Sequence, residues 1–328
     1  MRNNINRKFC IAPMMGYTTP YARNLYRILS KKAFLFSEMI ATKTLIHSKD
    51  KHSIIANNNQ NPIALQVGGS EFEDLTKCSK LAYDLNYDEI NLNVGCPSKA
   101  VQKGSFGACL MKDKALVRNC LEAMQTNKNI EVTIKCRIGL GKEFNYEFFE
   151  EFIDEILKSG VKIIYVHARN ALLNGISPKG NRTIPPLNYD FVRKIKIKYP
   201  KITFILNGGI DSLDKALKLT DIYDGVMLGR LIQNNPFCLK NVDKLFFNAT
   251  NKYNISENTI KEYFAYIKPI KGKDSIYRLL SPLLNIFFGI PDGKQFKIDI
   301  HSNMKNQNFE LLEKIFLNFI KEKKILIN

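Results

Sequence analysis

Three absences narrow this chain of 328 residues before any motif is read. No apolar run approaches the roughly 20 residues that a membrane-spanning helix needs, so no membrane role is expected. The opening residues Met1-Arg-Asn-Asn-Ile-Asn-Arg-Lys-Phe9 lack the apolar stretch of a secretory signal, which makes a cytoplasmic protein the expectation. The seven cysteines, at 10, 78, 96, 109, 120, 136 and 238, form no Cys-x-x-Cys pair and no zinc-like spacing with the four histidines. Free thiols are expected, and no metal site. Acid is scarce as well. There are 31 Asp and Glu against 49 Lys and Arg, a net charge of +18. Such a field favours polyanions, nucleic acid first and anionic membrane second. A genome biased toward lysine, asparagine and isoleucine would give the same excess without function, so charge alone decides nothing.

What is present is an alternation. Apolar runs with strand character recur at Phe9–Pro13, Phe34–Glu38, Pro62–Val67, Glu89–Val94, Glu131–Arg137, Val161–Ala168, Ile202–Asn207 and Tyr223–Leu228. Helical spacing follows most of them, as at Tyr21–Ser30 with Thr19 or Thr18 as cap, Glu71–Leu85 with Ser70 as cap, Asp113–Thr126, Tyr146–Ser159, Tyr189–Tyr199 and Ser212–Leu219. Eight strand-then-helix units predict a parallel (β/α)8 TIM barrel, an α/β fold. An open doubly wound sheet is the alternative, but its Gly-x-Gly-x-x-Gly turn is missing. Beyond Val242 only helical segments are expected, at Asn258–Ile267, Tyr277–Phe288 and Phe309–Lys324, with Asn248–Ser256 as a polar linker. The domains expected are a barrel over 1–243 and a smaller C-terminal helical domain over 244–328. The second carries +6 of the net charge, so charge does not localise a binding groove.

The most informative stretch is Glu89-Ile-Asn-Leu-Asn-Val-Gly-Cys-Pro-Ser98. Ile90, Leu92 and Val94 alternate with Asn91 and Asn93, a period of two in which both faces are enclosed. Buried amides must find partners, so something polar is expected beyond the strand end. Gly95 permits a sharp exit and Pro97 keeps Cys96 extended, which presents a thiol at the carboxyl end of a strand. The loop then runs about 17 residues to Met111, where βα loops usually take roughly 2–6. Gly104 and Gly107 are its expected hinges, and a lid or binding segment its expected role.

In a barrel the chemistry lies at the carboxyl ends of the strands. Those ends collect Pro13, Met14, Glu38, Gln66, Asn93, Cys96, Lys135, Arg137, His167, Asn207, Gly208, Gly209, Gly229 and Arg230. Any one of them has a dull explanation: a salt-bridged barrel lysine at 135, Gln66 and Asn93 bonded to each other, or a satisfied core histidine at 167. Glycines at the ends of strands seven and eight suit a phosphate, which backbone N–H groups and a helix dipole would receive. A phosphorylated cofactor would turn its polar ring atoms to Lys135, Gln66 and His167.

Ala12-Pro-Met-Met15, Gln66-Val-Gly-Gly69, Asn91-Leu-Asn-Val-Gly-Cys-Pro-Ser98, Gly107-Ala-Cys-Leu-Met111, Thr133-Ile-Lys-Cys-Arg-Ile-Gly139, His167-Ala-Arg169, Asn207-Gly-Gly209 and Gly229-Arg230 closely resemble the tRNA-dihydrouridine synthase family. Ser177-Pro-Lys-Gly-Asn-Arg-Thr-Ile-Pro-Pro-Leu187 resembles its A subfamily. The resemblance implies reduction of the C5=C6 bond of D-loop uridines in tRNA, at positions 20 and 20a, with FMN as cofactor and NADPH or NADH as reductant. It implies flavin contacts from Pro13, Met14, Met15, Gln66, Lys135 and His167, and phosphate contacts from Asn207, Gly208, Gly209, Gly229 and Arg230. Cys96 matches the proton donor to C5, opposite the hydride delivered to C6, and a thiol of ordinary pKa ~8.5 is mostly protonated at neutral pH. Asn93 matches a residue that holds the uracil, and Lys179 and Arg182 match tRNA contacts. Gly289-Ile-Pro291 with Lys294, Phe296 and Lys297 resembles a C-terminal tRNA segment that usually carries arginines and tryptophan. A monomer acting without an obligate protein partner is expected. Two rival readings remain: an FMN barrel acting on a free pyrimidine, and a non-catalytic RNA-binding protein.

Overall fold

The computed structural model describes residues 5–48, 55–57, 59–250, 257–285, 289–305 and 308–323. Eight strands form one sheet: β1 (Phe9–Ile11), β2 (Leu35–Ala41), β3 (Ile63–Gly68), β4 (Glu89–Val94), β5 (Glu131–Arg137), β6 (Ile163–His167), β7 (Thr203–Asn207) and β8 (Gly225–Leu228). Every neighbouring pair is parallel, and β1 pairs with β8. The remaining seam closes through a single parallel bridge between Cys10 and Phe34, just ahead of β2. The result is the expected barrel. Among the described residues, nine helices follow the strands: α1 (Pro20–Leu29), α2 (Thr42–His47), α3 (Phe72–Asp84), α4 (Lys99–Lys103), α5 (Lys114–Met124), α6 (Tyr146–Leu157), α7 (Tyr189–Lys198), α8 (Leu213–Leu219) and α9 (Arg230–Asn234).

Outward strand residues such as Ile90, Leu92, Val94, Ile134 and Cys136 are fully buried against the helical ring. Each such aliphatic side chain contributes about 1.5–3 kcal/mol relative to exposure. The barrel interior is divided. An apolar group of Phe34, Phe36, Tyr165, Ile205 and Met227 fills one side. Amides and a carboxylate from β3, β4 and β5 fill the other. The α1 start is the expected one, with Thr19 Oγ1 accepting from Ala22 N and Pro20 leading the helix. Ser70 does not cap α3. That helix begins after Glu71 without a side-chain cap bond.

Beyond β8 the described residues contain helices and no further strand of the sheet: α10 (Val242–Phe247), α11 (Glu257–Ile267), α12 (Ile276–Leu280), α13 (Gly293–Met304) and α14 (Phe309–Glu322). The expected helix over Tyr277–Phe288 is instead α12 and a 3-10 turn at Leu283–Asn285, and 286–288 lie outside the described residues. So do 251–256 of the expected linker and Lys324. The sequence reading missed α13, whose Phe296, Ile300 and Met304 are buried at helical spacing. Asp243 ties this region to the barrel by accepting from Ser30 Oγ and from the N–H groups of Lys31 and Lys32. Two further ties lie on the side of the strand carboxyl ends. Tyr21 Oη donates to Asp274 at 2.9 Å, and Asn285 Nδ2 donates to the Gln233 carbonyl at 3.1 Å. No helix among the described residues is long and apolar enough to cross a membrane.

Candidate active site

The amides of β4 find their partners along the barrel interior. Thr133 Oγ1 donates to Glu89 Oε1 at 2.6 Å, and Asn91 Nδ2 donates to Thr133 Oγ1 at 2.7 Å. Gln66 Nε2 donates to Asn91 Oδ1 at 2.8 Å, and Asn93 Nδ2 to Gln66 Oε1 at 2.9 Å. Asn93 Oδ1 then accepts from Cys96 N at 2.9 Å and Gly95 N at 3.1 Å. The ladder ends on backbone N–H groups, which only donate, and on Glu89. Burial pushes the Glu89 carboxyl up, while Arg7, Thr133 and Tyr165 pull it back. With an Arg7 guanidinium nitrogen at 2.8 Å, the carboxylate is the form we assign, and it only accepts. Fixed polarity at both ends therefore sets the orientation of every amide between them.

This ladder aims Cys96. Pro97 is buried and Cys96 partly exposed at the mouth of the barrel. The segment after it is a bracket rather than a free loop. It holds α4 and a 3-10 turn at Gly107–Lys112, and Ala108 N donates to the Cys96 carbonyl at 2.9 Å. Gly107 has φ +78°, and a Cβ there would lie 2.5 Å from the Cys96 carbonyl oxygen. Of the two expected hinges, Gly107 is thus a tight contact. Phe106 packs over Gly68 and Gly104. Arg137, given no role by its sequence position, holds the same turn: its Nε donates to the Gly95 carbonyl at 2.9 Å and its Nη1 to Asn170 and Asn181 carbonyls. Its sequence signals were its place among the strand-end residues and a second cation two residues after Lys135 in a buried strand.

Across the mouth, Lys135 Nζ donates to Asn207 Oδ1 at 3.0 Å and has no carboxylate partner among the described residues. Burial, with Arg137 adding repulsion, lowers its pKa to about 8. Asn207 Nδ2 is held by the Met227 carbonyl, so the Asn207 side chain is committed to the scaffold. His167 Nε2 is buried without a hydrogen-bond partner. Burial and then the cations Arg137, Lys135, Arg169 and Arg230 hold its imidazole well below the usual histidine range, hence neutral. Gly208 (φ +113°) and Gly209 (φ +63°) take the backbone conformations glycine allows, under His167 and Leu187. A Cβ on Gly229 would touch Met14 Sδ at 3.2 Å. Pro13 and Met14 are half-buried, Met15 is 64% exposed, and Gln66 is buried within the ladder. Arg230 is exposed, with Nη2 donating to the Arg182 carbonyl at 3.2 Å.

Lys179 and Arg182 project from the β6–α7 loop into solvent. Along with Lys43, Lys99, Lys103 and Lys142 at other strand exits, they have no carboxylate partner among the described residues. Cations on the helix flanks are more often matched, as Lys77, Lys80, Lys114, Arg118, Lys158, Lys196 and Lys198 are. Lys294 is exposed on α13, and Lys297 Nζ donates to Asn285 Oδ1 at 3.1 Å. A cavity of about 780 Å³ opens at the other end of the barrel, among Arg7, Asp88, Lys128 and Glu131. It is remote from the strand carboxyl ends and holds neither the thiol nor the orphaned histidine.

The sequence model of the dihydrouridine synthase family matches residues 10–323. This chain belongs to that family. It is 39% identical over 310 residues to the tRNA-dihydrouridine(20/20a) synthase of Shewanella oneidensis, covering 92% of each chain. The enzyme of the same name from Pasteurella multocida is 42% identical over 261 residues, 80% of each chain. Among solved structures, the old yellow enzyme homologue from Zymomonas mobilis superposes with a TM-score of 0.52 at 12% identity, covering 78% of this chain and 92% of that one. At that identity the likeness concerns the fold alone. Within the dihydrouridine synthase family match lie the Cys96 turn, the amide ladder, the bracket and the α13–α14 region.

Proposed function

We propose that this chain reduces the C5=C6 bond of uridines in tRNA, at the positions 20 and 20a that its relatives are named for, with FMN bound at the barrel mouth and NADPH or NADH as reductant. The observation that carries this reading is Cys96, a thiol aimed into the mouth by a ladder of fixed polarity. The residues present fit a phosphorylated flavin. His167 Nε2 is a buried polar atom without a protein partner, Lys135 is a cation without a counter-charge, and the Gly208–Gly209 turn packs directly under His167 and Leu187 with no Cβ in between. Pro13, Met14, Met15, Gln66, Lys135 and His167 would hold the ring, and the Asn207–Gly209 backbone with Gly229 and Arg230 the phosphate. A bound flavin supplies the hydride that uracil C6 requires.

The chain's own work is positional and acidic. Cys96 Sγ–H delivers the proton to C5. Asn93 keeps one N–H beyond its bond to Gln66, and that hydrogen is available to the uracil. The target base must leave its stack, which costs a few kcal/mol. Contacts from the rim cations to backbone phosphates, Lys179 and Arg182 among them, offset that cost. We assign residues 244–328 as a tRNA-binding module fixed to the rim, with Lys294 and Lys297 as contacts.

The test is direct. Purified protein should carry flavin absorbance, consume NADPH when given unmodified tRNA, and leave dihydrouridine at positions 20 and 20a. A colourless protein that binds tRNA without reducing it would support the non-catalytic rival. Reduction of free pyrimidine at a comparable rate, insensitive to polyanions, would support the other.

A further inference from the structure

We infer that Tyr277 and His301 form a stacking platform on which an unpaired tRNA base rests, outside the reaction site. The two rings stack at 5.8 Å between centroids and 24° between planes. Tyr277 is 55% exposed, and His301 is exposed too. Two stacked rings left in water present a flat face of the kind that bases cover, and base–aromatic stacking tolerates any base. The surroundings supply the matching charge. On α13 and its C-cap, Lys294, Ile298, His301 and Lys305 recur at spacings of four, three and four, along the exposed side opposite buried Phe296, Ile300 and Met304. Lys294 and Lys305 have no carboxylate partner among the described residues. Of the nearby acids, Asp274 pairs with Arg278 at 2.8 Å and accepts from Tyr21, while Asp299 accepts from the neutral Gln295 amide and keeps its charge.

The platform also lies on the appropriate side of the molecule. Asp274, three residues before Tyr277, is bonded to Tyr21 at the start of α1, the helix that leaves the mouth end of β1. Asn285, which bonds Lys297 of α13, is tied to Gln233 in α9, just past the mouth end of β8. One RNA can therefore reach Cys96 and the platform together. This inference rests on the tRNA reading above.

The experiment is a titration of full-length protein with unmodified tRNA at several salt concentrations. Tyr277→Ala and His301→Ala should each weaken binding by about five- to a hundredfold, with the slope of log affinity against log salt unchanged. Tyr277→Phe should restore it. Lys294→Ala should instead flatten the slope by about one ion. Unchanged affinity in both alanine variants, or no restoration by phenylalanine, overturns the platform while the reductase reading stands. A wild-type protein that does not bind tRNA at all overturns both.

Discussion

Asn93→Ala separates two roles for one side chain. If the amide served only the substrate, its loss would leave folding stability untouched. The structure instead commits Oδ1 to two backbone N–H groups and Nδ2 to Gln66 Oε1. Removing it orphans the Gln66 oxygen inside the barrel, a cost of about 1–3 kcal/mol. Each of the two backbone bonds, at a partly exposed turn, adds about 0.5–1.5 kcal/mol. The variant should therefore unfold about 2–6 kcal/mol more easily, less where water enters the vacated space. Chemical denaturation with an unchanged m-value measures this. Asn91→Ala, one rung deeper and away from any substrate, should behave alike, because its Oδ1 and Nδ2 are equally engaged. A loss below about 0.5 kcal/mol in Asn93→Ala, within the range of surface substitutions, would refute the ladder as the device that holds the Cys96 turn.

Gly107→Ala must place a Cβ against the Cys96 carbonyl at a positive φ, so a loss of about 2 kcal/mol or more is expected on denaturation, together with impaired turnover. Lys135 is cationic below its lowered pKa of about 8, so flavin affinity should fall as pH rises through that value and should vary less in Lys135→Met. The same shift has a stability consequence. Between about 8 and the ordinary 10.5 the unfolded chain binds the extra proton, so the Lys135 contribution to stability rises across that window. Lys179→Ala with Arg182→Ala should flatten the salt dependence of tRNA binding by about two ions if both meet phosphates, and leave it unchanged if they are only solvated charges.

Much of the fold was legible because strand ends announce themselves. Six-residue apolar runs that finish in Gln66, Asn93, Lys135, His167 or Asn207 make sense only if eight such ends converge. Where the polar partner of Asn91 lay was not legible. The amides were expected to face something polar beyond the strand end; Asn93 does, through the Gly95 and Cys96 N–H groups, whereas Asn91 runs the opposite way, through Thr133 to Glu89. That path depends on registers between β3, β4 and β5, which no local pattern encodes. The bracket after Cys96 read as a long loop because five- and six-residue helical turns carry little periodicity. Helix α13 escaped for a related reason. Its buried positions Phe296, Ile300 and Met304 are sparse, the exposed Ile298 between them blurs the apolar face, and its packing partners Phe316 and Phe319 lie in the following helix.

The central claim is that Cys96 supplies the proton at C5 from a mouth that holds flavin independently of it. Cys96→Ala should retain bound flavin, while single-turnover reduction of tRNA uridine falls about 10²–10⁴-fold, the usual worth of a positioned general acid. Uridine reduction within a few-fold of wild type by flavin-loaded Cys96→Ala would contradict it.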